Sequence, residues 1–295
     1  MKLAAIDIGS NAARLLITEV VKDDQGRDCF NKLNLVRVPL RLGFDVFENR
    51  TISPQKEDHI LKTIRAYRAL IDVYGVVHYK ACATSAMRDA QNGRDIIQRV
   101  KNETGIEIEI ISGDQEASFI YENHIAENLE KDKSYLYIDV GGGSTELTYF
   151  NDGKLAFKKS FNIGTIRLLK NQVTNDHWDD MKDEIRQFTK SAKSVICIGS
   201  GGNINKVFSM SKRKDGKPLP LDLLKDYYRE LSSFSVRERM RLYNLREDRA
   251  DVIVPALSIY VNVMKWADAR EIYVPKIGLA DGLVHILWEE IKGRN

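Results

Sequence analysis

Cysteine is scarce in this 295-residue chain: Cys29, Cys82 and Cys197 are odd in number and far apart. A disulfide framework is excluded, and the residues suit a reducing compartment as small buried hydrophobes. Long hydrophobic runs are missing too. The stretch Ile253 to Ile259 is interrupted by Pro255 and falls far short of the roughly 20 residues that span a bilayer. The N-terminus reaches Asp7 too early for the apolar core of a secretory signal, so a cytoplasmic location is expected. Excess charge of one sign is slight: 45 Lys and Arg against 42 Asp and Glu leave +3, which implies no global attraction to nucleic acid. The five histidines stand singly, without metal-ligand spacing, and are expected as surface or packing residues. Neither G-x-x-x-x-G-K-[ST] nor a complete G-x-G-x-x-G after a strand occurs, so the usual glycine-rich nucleotide motifs are absent.

What is present is a soluble-domain composition, 43% hydrophobic and 29% charged, in a chain long enough for two cores. Charge is uneven along it. Between Lys206 and Arg249 twelve basic residues stand against seven acidic ones, a local excess of +5. A solvated helical face accounts for this; a landing surface for a polyanion is the sharper alternative.

The pattern along the chain is mixed α/β. LAAIDIG reads as a buried strand, and AARLLITEV as a second one reached through a tight Gly9-Ser10-Asn11 turn. LNLVRVPL is a third strand candidate, and a helix opens at Ser53 with Pro54 at its first position. Strand, helix and strand follow in VVHYKACA, RDIIQRVKNETG and IEIEIIS. The informative feature is a repeat: Ile6-Asp7-Ile8-Gly9 returns as Ile138-Asp139-Val140-Gly141, and each copy precedes small residues and a second apolar strand. The second unit continues with KLAFKKSF, a helix over residues 176–190, SVICIG, and helices over 221–230 and 249–267, the last bent or set at its start by Pro255. The boundary between halves is expected within residues 113–131. The amphipathic stretch 282–292 is expected to return to the first lobe.

Turns of Gly, Ser and Asn between strands expose consecutive backbone N–H groups, and convergent N–H groups make an anion nest. Asp139 and Glu146 flank the second turn, and carboxylate oxygens are the hard ligands that Mg²⁺ prefers beside phosphates. One such hairpin is ordinarily no more than a hairpin. Two copies point to a phosphate site.

At these residues the chain resembles the exopolyphosphatase and guanosine pentaphosphate phosphohydrolase (Ppx/GppA) family, within the superfamily of actin, sugar kinases and heat-shock ATPases. The resemblance covers AAIDIGSNAARLLI, ATSAMRDAQN, ISGDQEASFIY, YIDVGGGSTEL, IGSGGNINK and NLREDRADVIVPAL in order. It implies a duplicated actin-like (ribonuclease H-like) α/β fold with mixed sheets, flanking helices and an interdomain cleft. The first lobe would comprise residues 1–118 plus a C-terminal helix of about 280–295, and the second lobe residues 119–279. It also implies a short form without the further helical domains of long members.

The implied activity is release of terminal phosphate from inorganic polyphosphate or guanosine pentaphosphate, with Mg²⁺ or Mn²⁺ as cofactor, in a homodimer that binds neither nucleic acid nor membrane. Glu116 matches the residue that orients water. Ser10, Asn11, Arg88, Gly142, Gly143, Ser144 and Thr145 match phosphate-binding positions, and Asp7, Asp139 and Glu146 lie at the metal. Gly199, Gly201 and Gly202 match the nucleotide or distal phosphate end, although that turn could equally cap a helix. Two departures stand out: Gln115 replaces the first glutamate of a pair, and Ala280-Asp281 replaces a frequent Arg-Glu. A small-molecule kinase of the same superfamily and a non-catalytic nucleotide or polyphosphate sensor are the alternative readings.

Overall fold

The computed structural model describes residues 1–121, 133–192 and 194–293. The chain divides into two units, Met1–Asn123 with Leu279–Asn295, and His124–Gly278. The boundary expected between residues 113 and 131 falls largely outside the described residues, as does His124.

The first unit is built on strands β1 (Lys2–Ile8), β2 (Ala13–Lys22), β3 (Asp28–Val38), β4 (His78–Ala83) and β5 (Glu109–Ile110), in the spatial order β3-β2-β1-β4-β5. β1, β2 and β3 run antiparallel in succession, while β4 runs parallel to β1 and β5 parallel to β4. The central strand β1 is buried from Leu3 to Ile8, as expected where both sheet faces are covered. Edge strand β3 is half exposed, and its register slips opposite Ile17 and Thr18, which leaves Leu33 as an extra residue and blunts the edge.

The helix Pro54–Tyr74 starts on a proline whose missing N–H has no intrahelical acceptor to lose, and Gly75 ends it at φ 65°. Its buried residues Ile60, Leu61, Ile64, Tyr67 and Ile71 recur every three or four positions. The last helix, Leu279–Lys292, packs Leu279, Ala280, Leu283, Val284 and Leu287 against Leu3, Ala5, Leu16 and Cys82. Ion pairs of Lys32 with Asp281 at 2.5 Å and Lys80 with Glu290 at 2.5 Å flank that seam.

The second unit repeats the plan. Strands β6 (Ser134–Val140), β7 (Thr145–Asn151), β8 (Lys154–Phe161), β9 (Val195–Ser200), β10 (Leu219–Pro220) and β11 (Glu271–Tyr273) lie in the order β10-β11-β9-β6-β7-β8. Read from β8, the sequence β8-β7-β6-β9-β11 has the order and orientations of β3-β2-β1-β4-β5, with β10 added at the edge. The tetrapeptide repeat is therefore the visible trace of a repeated sheet.

Two expectations are refined. The helix expected over 249–267 is two, Glu247–Ala250 and Ile253–Trp266, with Pro255 in the first turn of the second, where it removes no intrahelical hydrogen bond. IEIEIIS yields only the two-residue strand β5. No described helix is long and apolar enough to cross a membrane.

Candidate functional site

Both hairpin turns are fastened the same way. Gly9 N–H donates to the Ala12 carbonyl at 3.0 Å, and Gly141 N–H to the Ser144 carbonyl at 2.9 Å. The turn carbonyls are then taken up from behind. Ser10 and Asn11 accept from the amides of Gly43 and Arg41 at 2.8 and 2.9 Å, and Gly141 and Gly142 accept from those of Thr165 and Ile166 at 3.0 and 2.8 Å. The Gly143 carbonyl accepts from Arg167 Nε at 2.7 Å. With the carbonyls held, the amides of Ser10, Gly142 and Gly143 donate to no protein acceptor among the described residues. Donors without acceptors at a strand end are what an anion nest requires.

In the first unit, Asp7 is buried on β1 beside Arg14 of β2, whose Nη1 donates to Asp7 Oδ2 at 2.5 Å. Asp7 is thus already matched by a positive charge. Ser10 Oγ lies 2.8 Å from Ser85 Oγ, joining the turn to the short helix Ser85–Asp89 that carries Arg88. Arg88 Nη1 donates to the Ile111 carbonyl at 2.7 Å, next to the start of the helix Gly113–Tyr121.

Glu116 lies in that helix's first turn, with only 8% of its surface exposed. Ser112 N–H donates to Gln115 Oε1 at 2.8 Å, and Gln115 N–H donates to Ser112 Oγ at 3.1 Å. This reciprocal capping box starts the helix and aims Glu116. Glutamine serves the box as well as glutamate does, so the departure at Gln115 costs charge and not architecture. Burial raises the Cys82 thiol well above its ordinary pKa, and the charges of Asp7, Glu116 and Glu109 add to the effect. Ala280, the second departure, is buried in the apolar seam of the last helix, and its neighbour Asp281 pairs with Lys32.

The second unit differs at one decisive position. Asp139 on β6 has Glu146 of β7 directly opposite, where Asp7 has Arg14. Two carboxylates side by side repel unless a cation joins them. Glu146 is 3% exposed, and its Oε1 accepts from Ser160 Oγ at 2.8 Å. Mg²⁺ characteristically takes one or two carboxylates and completes its shell with waters and phosphate oxygens, so this donor set fits it. Among the described residues, no group of three or more His, Cys, Asp or Glu could form an all-protein cage.

Thr145 and Gly199 support the site from beneath. Thr145 Oγ1, fully buried, donates to the Ile163 carbonyl at 2.6 Å. A Cβ on Gly199 would stand 2.7 Å from Ile272 Cδ1, so its missing side chain serves packing. Gly201, at φ 105°, turns β9 into the helix Gly202–Met210; a Cβ there would lie 3.0 Å from Asp139 Oδ1.

Sequence reasoning gave no role to Gly164, Arg167, Asn203, Arg249 or Tyr260. A Cβ on Gly164 would stand 2.4 Å from the Gly143 carbonyl carbon, so the nest rests directly on this glycine. Arg249 Nη1 donates to Asn203 Oδ1 at 2.7 Å, and its guanidinium occupies the space a Gly202 side chain would fill. Asn203 and Arg249 lie within the blocks IGSGGNINK and NLREDRADVIVPAL, which carried no individual role for either.

The model of the Ppx/GppA phosphatase family matches residues 20–289. The chain is 32% identical over 249 residues to a bifunctional 3-dehydroquinate synthase/phosphatase of Fusobacterium nucleatum, covering 82% of this chain and 35% of that protein. It is 27% identical over 183 residues to exopolyphosphatase 1 of Mycobacterium tuberculosis, covering 60% of this chain and 50% of that one. The chain thus spans about a third to a half of the length of these curated relatives. A solved exopolyphosphatase from Cytophaga hutchinsonii superposes with a TM-score of 0.82 at 26% identity, covering 99% of this chain and 98% of that one. The actin-like two-domain fold expected from the sequence is the fold of that structure. With a family model spanning nearly the whole sequence and a solved relative matching it end to end, the chain belongs to the Ppx/GppA phosphatase family.

Proposed function

We propose that this chain is a metal-dependent phosphohydrolase that releases the terminal phosphate of inorganic polyphosphate, with guanosine pentaphosphate as a second substrate for the same chemistry. The observation that carries this reading is the pair of like-built turns whose carbonyls are held from behind while the amides of Ser10, Gly142 and Gly143 have no protein acceptor among the described residues. Family membership and the likeness to exopolyphosphatases support it.

The roles follow from the chemistry of each group. The turn amides and the guanidinium N–H groups of Arg88 not given to Ile111 donate to phosphate oxygens. Asp139 and Glu146 would hold Mg²⁺ or Mn²⁺, which when bound offsets charge on the phosphate oxygens. The Asp7–Arg14 pair is internally neutral, whereas the second unit sets two carboxylates opposite each other, the donor set that suits a divalent cation. Glu116, buried and aimed by its capping box, orients the attacking water.

Phosphate release from medium-chain polyphosphate, guanosine pentaphosphate and ATP, with and without Mg²⁺, tests the reading. Glu116→Gln is expected to lower turnover by about 10²-fold or more while leaving polyphosphate binding intact. Wild-type protein that releases phosphate from none of the three refutes hydrolysis. Transfer from ATP to an added acceptor would mark a kinase, and binding without release a sensor.

A further inference from the structure

Tyr260 is a fully buried tyrosine in the middle of the helix Ile253–Trp266, 1% exposed. Packing alone would be met by phenylalanine. Its hydroxyl, however, donates to the carbonyl of Ser200, the last residue of β9. Ser200 stands opposite Asp139 in the β6–β9 register, and the next residue, Gly201, carries the positive φ that turns the chain toward the helix Gly202–Met210. The position a Cβ would take on Gly201 lies 3.0 Å from Asp139 Oδ1, 3.2 Å from the Val140 carbonyl and 3.6 Å from the Tyr260 hydroxyl. Three groups therefore meet at one backbone turn: the end of the strand bearing Asp139, the carboxylate itself, and a phenol anchored from the helix behind. Burial holds the phenol well above its ordinary pKa, with the charges of Asp139 and Glu146 adding to the effect and Arg249 opposing it.

We propose that Tyr260 is a positioning residue for the metal-holding carboxylate: by tethering the Ser200–Gly201 turn, its hydroxyl keeps the backbone wall against which Asp139 rests, and so sets how Asp139 and Glu146 share a divalent cation. This rests on the function proposed above. The turn is short and bounded by a strand and a helix, so loosening it moves the wall and not the fold. A buried hydrogen bond is worth about 1 kcal/mol, which is about fivefold in an equilibrium constant.

The test uses the full chain and Mn²⁺ alone, with binding read by electron paramagnetic resonance in the absence of substrate. Tyr260→Phe is expected to weaken Mn²⁺ binding about fivefold. At saturating metal, its KM for polyphosphate is expected to equal that of the wild type. Gly201→Ala presses on the same wall from the other side and is expected to weaken Mn²⁺ binding as well. Combined with Tyr260→Phe, its effects should be clearly less than additive, because both variants disturb one contact. Wild-type Mn²⁺ affinity in a folded Tyr260→Phe protein, or strict additivity, overturns the inference and leaves the proposed function standing. If Tyr260→Phe loses its cooperative melt, Gly201→Ala decides alone, and unchanged Mn²⁺ affinity there overturns the inference. Wild-type protein that neither binds Mn²⁺ nor releases phosphate removes the proposed function, and this inference with it.

Discussion

Substitution of Gly164 by alanine is the sharpest probe of the phosphate nest, because the cost can be worked from geometry. The new methyl group would stand 2.4 Å from the Gly143 carbonyl carbon, 2.5 Å from the Gly142 oxygen and 2.6 Å from the Gly142 carbonyl carbon. Carbon contacts settle near 3.5 Å, so the nest and the helix start must part by roughly 1 Å. Backbone torsion adds nothing, since Gly164 sits at φ −137°, where any residue is at ease. The two surfaces cannot part freely either: Thr165 and Ile166 donate their amides to Gly141 and Gly142 at 3.0 and 2.8 Å, and Arg167 Nε holds Gly143 at 2.7 Å.

A displacement of about 1 Å in a positioning group costs about 10²-fold in rate, which is about 2.7 kcal/mol of transition-state stabilisation. The overpacking itself costs about 1–3 kcal/mol of stability. Gly164→Ala should therefore melt a few degrees lower, remain folded at assay temperature, and lose about 10²-fold in kcat/KM for polyphosphate. A folded variant within twofold of the wild-type kcat/KM would refute the claim that the amides of Gly142 and Gly143 bind the substrate.

Other substitutions probe separate links. Gln115→Glu should preserve the capping box and the melting temperature, whereas Gln115→Ala should cost about 1 kcal/mol of stability, read by thermal melting. Glu146→Gln removes one charge from the facing carboxylates and should raise the Mg²⁺ concentration for half-maximal phosphate release about tenfold; an unchanged titration would exclude Glu146 as a ligand. Asp28 accepts from Lys22, from the Trp288 indole at 2.9 Å and from Lys292 at 3.2 Å, and these partners, Lys22 first, hold its carboxyl well below the ordinary 3.8. Because the folded-state pKa is depressed, this clasp on the last helix stabilises the fold above the ordinary carboxyl value and is lost as pH falls below it. Asp28→Asn should accordingly melt lower than wild type at pH 7, with the gap closing on acidification; a gap that stays constant with pH would contradict the assignment.

The sheets were legible because buried strands and small-residue turns leave local marks, and because the Ile-Asp-x-Gly spelling occurs twice. That spelling marked Asp7, Asp139 and the two turns that follow them. The partner of each residue was hidden, since partnership is set by pairing across strands. Nothing in the sequence says that position 14 faces position 7 as position 146 faces position 139, yet that register sets an arginine against one aspartate and a glutamate against the other. Gln115 looked like a weakened acid until Ser112 was seen to bond it back. Tyr260 and Gly164 were invisible for the same reason. Each matters through a backbone atom distant in sequence or through a side chain that is not there. The break between the helices Glu247–Ala250 and Ile253–Trp266 was missed because the residues between them, Asp251 and Val252, are neither glycine nor proline and leave no mark of a break.

The exchange of Arg14 for Glu146 at matching strand positions makes the two sheets chemically unequal. Two identical halves would carry either two acid pairs or two neutral ones, attracting metal twice or not at all. Opposite charges at this one strand position are enough to keep either sheet from standing in for the other. A chain with Arg in place of Glu146 should keep its sheet and lack the facing acid pair proposed to hold the metal.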